Sequence, residues 1–211
     1  MTAEPGVPLR ADARRNRDQI VAAARTIFGS RGPEVPMEEI ARAAGVGVGT
    51  LYRRFPDRDA LIRAVALDSF ARVIADARTA ASEERTAWQA LVRLLHRSAE
   101  LQLGIQLAML SPRALEILKS DAEVLVLRDE LLAEVERLVG EAQREGELRA
   151  DVGPGDIALL FALLLRRARA KTPETAAGAT DRCIAIMVDG LRSTSATSLP
   201  GRPLSVGDLG R

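Results

Sequence analysis

The stretch PMEEIARAAGVGVGTLYRRFPDR, residues 36–58, decides the fold. Ile40, Ala41 and Ala44 put small and apolar groups on one face of a first short helix. Gly45, Val46 and Gly47 form a three-residue turn, and Val48 to Phe55 form a second short helix that carries Thr50, Tyr52, Arg53 and Arg54. Helix, tight turn, helix is the layout in which the second helix enters the major groove of DNA. Phe55-Pro56-Asp57 breaks that helix, and Asp57 can cap the next one.

Working outward, the rest of the chain reads as helix too. A length of 211 residues allows one or two domains. Hydrophobic residues make up 47% but aromatic residues only 3%, so the core is built from Ala, Leu, Val and Ile. Ala and Leu favour helix, and no stretch alternates long enough to make a strand. The expectation is an all-α protein with a three-helix DNA-binding head over residues 12–58 and a helical body over 59–192. Tails at 1–11 and 193–211 carry Pro, Gly and Ser without a periodic pattern and are expected to be disordered.

Within that frame, a helix is predicted from about Asp12 to Gly29, with Ile20, Ala23, Ala24, Ile27 and Phe28 on one face. A fourth helix runs to about Ala80, and a fifth spans Ser82 to about Leu103. A bend near Met109 leads to a short helix ending at Lys119. Asp121 caps a long helix that Gly146 ends. The last two helices span 156–170 and Pro173 to about Arg192.

Charge is unevenly shared. From Arg10 to Arg58 there are ten arginines against six acidic residues, while the whole chain carries a formal charge of +1. A basic head on a mildly acidic body fits nucleic-acid contact at one end. A single cysteine, Cys183, excludes an internal disulfide and reads as a buried structural thiol, with a redox sensor as the sharper alternative. There is no signal-peptide hydrophobic region, and the longest apolar run, Ile157 to Leu165, is far short of the ~20 residues that span a bilayer. The chain therefore reads as cytoplasmic, with no membrane partner.

Enzyme chemistry finds no foothold. One His and one Cys make no His/Cys metal cluster, and there is no nucleophile elbow or P-loop. Gly45, Gly47 and Gly49 lie between two helices rather than after a strand. No catalytic residue, metal or cofactor is expected. A pure interaction adaptor would account for the apolar late helices but not for the clustered Thr50, Tyr52, Arg53, Arg54 and Arg58.

Two segments, RRNRDQIVAAARTIF and MEEIARAAGVGVGTLYRRFPDRDALIRAV, resemble the DNA-binding domain of the TetR family of bacterial repressors over residues 14–65. The run AAGV…GTLYRRF is specific to that family. The resemblance implies that Gly47 and Val48 stand at the groove-facing start of the recognition helix. Thr50 and Tyr52 resemble hydroxyl donors to phosphate, and Arg53 and Arg54 fill positions that reach phosphate or a base edge. Arg58 matches a basic phosphate contact at the start of the fourth helix, and Arg14, Arg15 and Arg17 lie where the family approaches the DNA backbone or the minor groove. Three positions depart from the family pattern: Pro36 where a capping hydroxyl is common, Gly47 where Ser is common, and Val48 where a polar residue is common. Val48 can touch a thymine methyl but cannot hydrogen-bond a base edge, so direct readout is expected to be sparse.

A single short helix reads too few base pairs to be selective, so a homodimer on a double-stranded, inverted-repeat operator is expected. Residues 157–165 are apolar on every face and need cover on all sides. The resemblance implies that the last two helices pair across the dimer. It also implies a small-molecule effector pocket in the body that releases the repressor from DNA. Trp88, Leu91, Leu95, Gln102, Met109, Leu131 and Phe161 are candidate lining, and His96, Arg128 and Arg166 are candidate polar handles.

Overall fold

A computed structural model describes residues 7–97, 111–164, 173–194 and 197–209. These form α1 (Val7–Arg31), α2 (Met37–Ala43), α3 (Val48–Arg54), α4 (Arg58–Glu83), α5 (Ala87–Arg97), α6 (Pro112–Ser120), α7 (Ala122–Arg144), α8 (Pro154–Leu164) and α9 (Pro173–Leu191). A 3₁₀ turn follows at Val206–Asp208. Among the described residues the only extended pairing is one isolated bridge between Leu148 and Arg192, so the fold is all-α as expected.

The helix ends follow local chemistry. Asp57 caps α4 by accepting from the Ala60 amide at 2.8 Å. Asp121 caps α7 by accepting from the amides of Glu123 and Val124, each at 3.1 Å. Ser111 precedes Pro112 and caps α6 through Ala114 N–H at 3.4 Å, with proline at a position where its missing N–H costs nothing. Gly146, at φ 76°, ends α7 in the left-handed conformation that favours glycine.

Four expectations are corrected here. First, α1 starts at Val7 rather than Asp12, because Pro8 falls in the first turn, where proline is tolerated. Second, α4 continues to Glu83 and α5 begins only at Ala87. Thr86 supplies the missing start signal: its hydroxyl accepts from Gln89 N–H at 3.2 Å, and the Gln89 carboxamide accepts from Arg85 N–H at 3.2 Å. Third, Cys183 is exposed. Ile184 and Leu191 face inward on α9, and one residue of helical rotation turns the thiol outward. Fourth, residues 197–209 are packed on the body rather than disordered. The bend expected near Met109, and the expected helical residues 98–103 and 165–170, lie outside the described residues.

Two apolar cores meet along α4. In the head, Ile20, Ala24 and Phe28 of α1 pack with Met37, Ile40 and Ala41 of α2, Leu51 of α3, and Leu61, Ile62 and Val65 of α4. In the body, Val73, Ile74 and Ala77 of α4 pack with Trp88, Leu91 and Leu95 of α5, Val135 and Leu138 of α7, Ile157 and Phe161 of α8, and Ile184 of α9. The head therefore reaches past the expected limit at residue 58 into the first turns of α4. Helix α6 joins the two parts. Its Ala114 is buried in the head core, and Ile117 packs against it.

Candidate nucleic-acid interface

The site is built from α2, the turn and α3. Helix α2 closes on Gly45, at φ 68°. The Val46 amide donates to Ala41 O at 3.0 Å and the Gly45 amide to Arg42 O at 3.1 Å, the paired bonds of a Schellman stop. Half-buried Val46 then packs against the head core and fixes the turn. Pro36 and Gly47 stand at the two N-caps without a side-chain cap, as their side chains dictate.

In α3 only Leu51 is buried. Val48 and Tyr52 are 38% and 42% exposed, and they share a face at i, i+4. Gly49, Arg53 and Arg54 are exposed and Thr50 is half-buried. The Arg53 Nη2 donates to the Thr50 hydroxyl at 3.1 Å, which sets the hydroxyl and the guanidinium side by side. One flank is completed by α1, where Arg17 lies over the Phe55 ring at 5.8 Å. Arg14 and Arg15 are exposed further up α1, Arg15 within 3.6 Å of Asp12. Among the described residues neither Arg14 nor Arg54 has an ion-pair partner. Hydroxyls and unneutralised arginines gathered around one short, exposed helix can take up phosphate oxygens.

Arg58 is placed differently from the rest. Its Nη1 donates to the carbonyls of Pro33 and, at 2.6 Å, Val35, so the guanidinium ties the loop before α2 to the start of α4. Sequence reading missed this clamp because a contact to main-chain carbonyls leaves no residue pattern. Arg58→Gln is expected to cost about 2 kcal/mol of stability, the value of hydrogen bonds from a charged donor, while leaving the salt dependence of DNA binding unchanged. A denaturant titration and a salt series check the two halves separately.

The N-cap of α3 offers a gain. A Cβ on Gly47 would meet only Thr50 Oγ1, at 4.0 Å. Gly47→Ser is expected to raise stability by roughly 0.3 kcal/mol by supplying the missing cap, read as a higher denaturation midpoint.

The head is wired to the body at α6. Ser111 Oγ donates to Glu34 Oε1 at 3.3 Å, and Arg113 donates to Asp59 Oδ2 at 2.7 Å. Arg63 of α4 pairs with Asp121 and, at 2.9 Å, with Glu123. Burial pushes the Asp121 carboxyl up, but Arg63 and the capping amides outweigh it and hold the group below its ordinary range.

Of the candidate pocket residues, Trp88, Leu91, Leu95, Leu131 and Phe161 come together in the body core. Arg128 is half-buried on α7. His96 is not part of that core. It is exposed on α5 and lines an open groove of about 650 Å³ with Glu84, Arg93, Arg192 and the candidate Trp88. Gln102, Met109 and Arg166 lie outside the described residues.

The fold and this surface define a helix-turn-helix DNA-binding protein with a helical C-terminal body. Residues 20–65 match the family described as "Bacterial regulatory proteins, tetR family". Residues 83–193 match "Transcriptional regulator SbtR-like, C-terminal domain". A TetR transcription regulatory protein from Mycobacterium vanbaalenii is similar at 33% identity, over 88% of this chain and 99% of that one, with a TM-score of 0.62. The TetR transcriptional regulator SCO0520 from Streptomyces coelicolor is similar at 29% identity, over 84% of this chain and 99% of that one, with a TM-score of 0.66. The HTH-type transcriptional regulator SAUSA300_2515 of Staphylococcus aureus is 43% identical over 54 residues, 25% of this chain and 29% of the staphylococcal protein. The chain belongs to the TetR family of bacterial transcriptional regulators.

Proposed function

We propose that the protein is a cytoplasmic, ligand-responsive repressor. It binds an inverted-repeat operator as a homodimer and is released by a small molecule held in the body. The observation that carries this reading is α3, a helix with Leu51 buried, Thr50 half-buried and its other positions exposed. Thr50, Tyr52, Arg53 and Arg54 grip phosphate, with Arg14, Arg15 and Arg17 along the flank. Gly47 and Val48 lie at the groove floor, where Val48 favours a thymine methyl. Among the described residues no helix is long and apolar enough to cross a membrane.

The body supplies the response. An effector wedged among Trp88, Leu91, Leu95, Leu131 and Phe161 displaces α5, α7 and α8, and α6 carries the shift to the head through Ala114. Only a difference in effector affinity between the DNA-fitting and non-fitting states can drive release. The dimer pairs α8 and α9, consistent with the large apolar side chains Leu159 and Ile186 at their surfaces.

Fluorescence anisotropy with the DNA upstream of the protein's own gene, a scrambled competitor and two salt concentrations tests the reading. Selective binding that falls steeply with salt is the expected result. Equal, weak binding to the natural and scrambled sequences, with no ligand co-purifying, would count against it.

A further inference from the structure

Past α9 the chain turns back and crosses the start of α8 as a strap. The Gly155 amide donates to Leu204 O at 2.8 Å. Asp156 Oδ2 accepts from Leu204 N–H at 3.1 Å and from Gly153 N–H at 2.8 Å. Asp151 Oδ2 accepts from Leu199 N–H at 3.0 Å. Buried Arg149 holds Asp151, donates to Gly190 O at 3.1 Å and also donates to Thr197 O. The far end closes on itself, with Ser205 N–H donating to Asp208 at 2.8 Å and Arg202 pairing with Asp208 at 2.6 Å.

Two glycines make room for this strap. A Cβ on Gly153 would stand 2.1 Å from Leu204 O, and one on Gly155 would stand 2.5 Å from Ser205 O. Neither glycine has a positive φ, so their backbone geometry does not call for glycine; the crossing strap does. The strap also lies outside the matched C-terminal region, which ends at residue 193.

Leu199 of the strap, Leu159 and Leu160 of α8, and Met187 of α9 wall one apolar groove of about 350 Å³. Leu199 and Leu159 remain 44% and 42% exposed. We propose that the strap is part of the homodimer surface: it locks the start of α8 and presents Leu199 beside Leu159 and Met187 as one face on which a second copy seats. This rests on the dimer reading above. A second copy is the occupant because the groove is continuous with the two helices assigned to that dimer, and an apolar patch shared by both is what an obligate interface buries.

Sedimentation equilibrium tests it on the full chain, a chain ending at Thr194, Leu199→Asp, and the pair Leu159→Asp with Ile186→Asp, with circular dichroism as the fold control. The full chain is expected to dimerise, and Leu199→Asp and the shortened chain to dissociate at least tenfold more readily with helix content kept. Gly155→Ala provides a second readout. Alanine is the better helix former, so it should lower the melting temperature of the full chain but not of the shortened one. An unchanged dimer constant for Leu199→Asp and the shortened chain, or the same effect of Gly155→Ala at both lengths, overturns the strap's role. A monomeric full chain, or a dimer that also survives Leu159→Asp with Ile186→Asp, overturns the α8–α9 dimer reading and the strap's role with it.

Discussion

Tyr52→Phe combined with Arg53→Ala is expected to weaken binding to every DNA sequence by roughly 100-fold, since each removes a proposed phosphate contact of the charge-assisted kind. The phenylalanine loses only the hydroxyl, so the exposed ring keeps its place. Arg53 is lost together with its bond to Thr50, which leaves that hydroxyl without its positioning partner. Neither side chain belongs to the head core, so helix content and the unfolding midpoint should hold. The salt dependence of binding should become shallower by about one unit of slope, the signature of a lost ionic phosphate contact. Anisotropy over a salt series with specific and scrambled DNA reads all of this. Unchanged affinity would mean that α3 does not meet the backbone as assigned.

Leu51→Ala acts on the opposite face of the same helix and should cost about 3 kcal/mol. The side chain is fully buried. A helix of seven residues containing Gly49 has no stability of its own, so burial of Leu51 is what holds it on the head. DNA binding should fall with the head's stability. Urea unfolding should show a lower midpoint with an unchanged slope. Val48→Ala, at a 38% exposed position, is the control and should shift stability by less than about 0.5 kcal/mol. A Leu51→Ala protein as stable as the parent would contradict the packing described here.

What was legible in the sequence is what local chemistry decides. The α2–turn–α3 unit was readable because Gly45, Pro56 and Asp57 punctuate it and Leu51 and Phe55 anchor it. The caps at Asp57 and Asp121 were readable for the same reason. The start of α5 was hidden because Thr86 and Gln89 sit in a run that is helix-compatible throughout. The clamp by Arg58, the insertion of Ala114 into the head core and the return of the strap were hidden for another reason. Each joins residues far apart in the chain, 23 apart for Arg58 and Val35 and 48 apart for Leu204 and Asp156, and no periodic pattern records such pairs. The apolar set Trp88, Leu91, Leu95, Leu131 and Phe161 was legible because apolar residues at helical spacing pack into a core. The exposure of His96 was not legible, because a lone polar residue carries no periodic signal.

Helix α4 has 26 residues and neither glycine nor proline, and its two halves sit in different cores. At ~1.5 Å per residue it is a stiff rod of about 39 Å. Held at the body end, such a rod is a lever: a tilt of about 5° sweeps its head end through ~3 Å, enough to break a hydrogen bond outright. In the proposed dimer two such rods swing in opposite senses, and the sweeps add against a half-site spacing of about 34 Å. The proposed effector need not reshape the DNA-reading surface. It needs only to change one angle by a few degrees, and the rod's length multiplies that change into a mismatch the operator cannot follow.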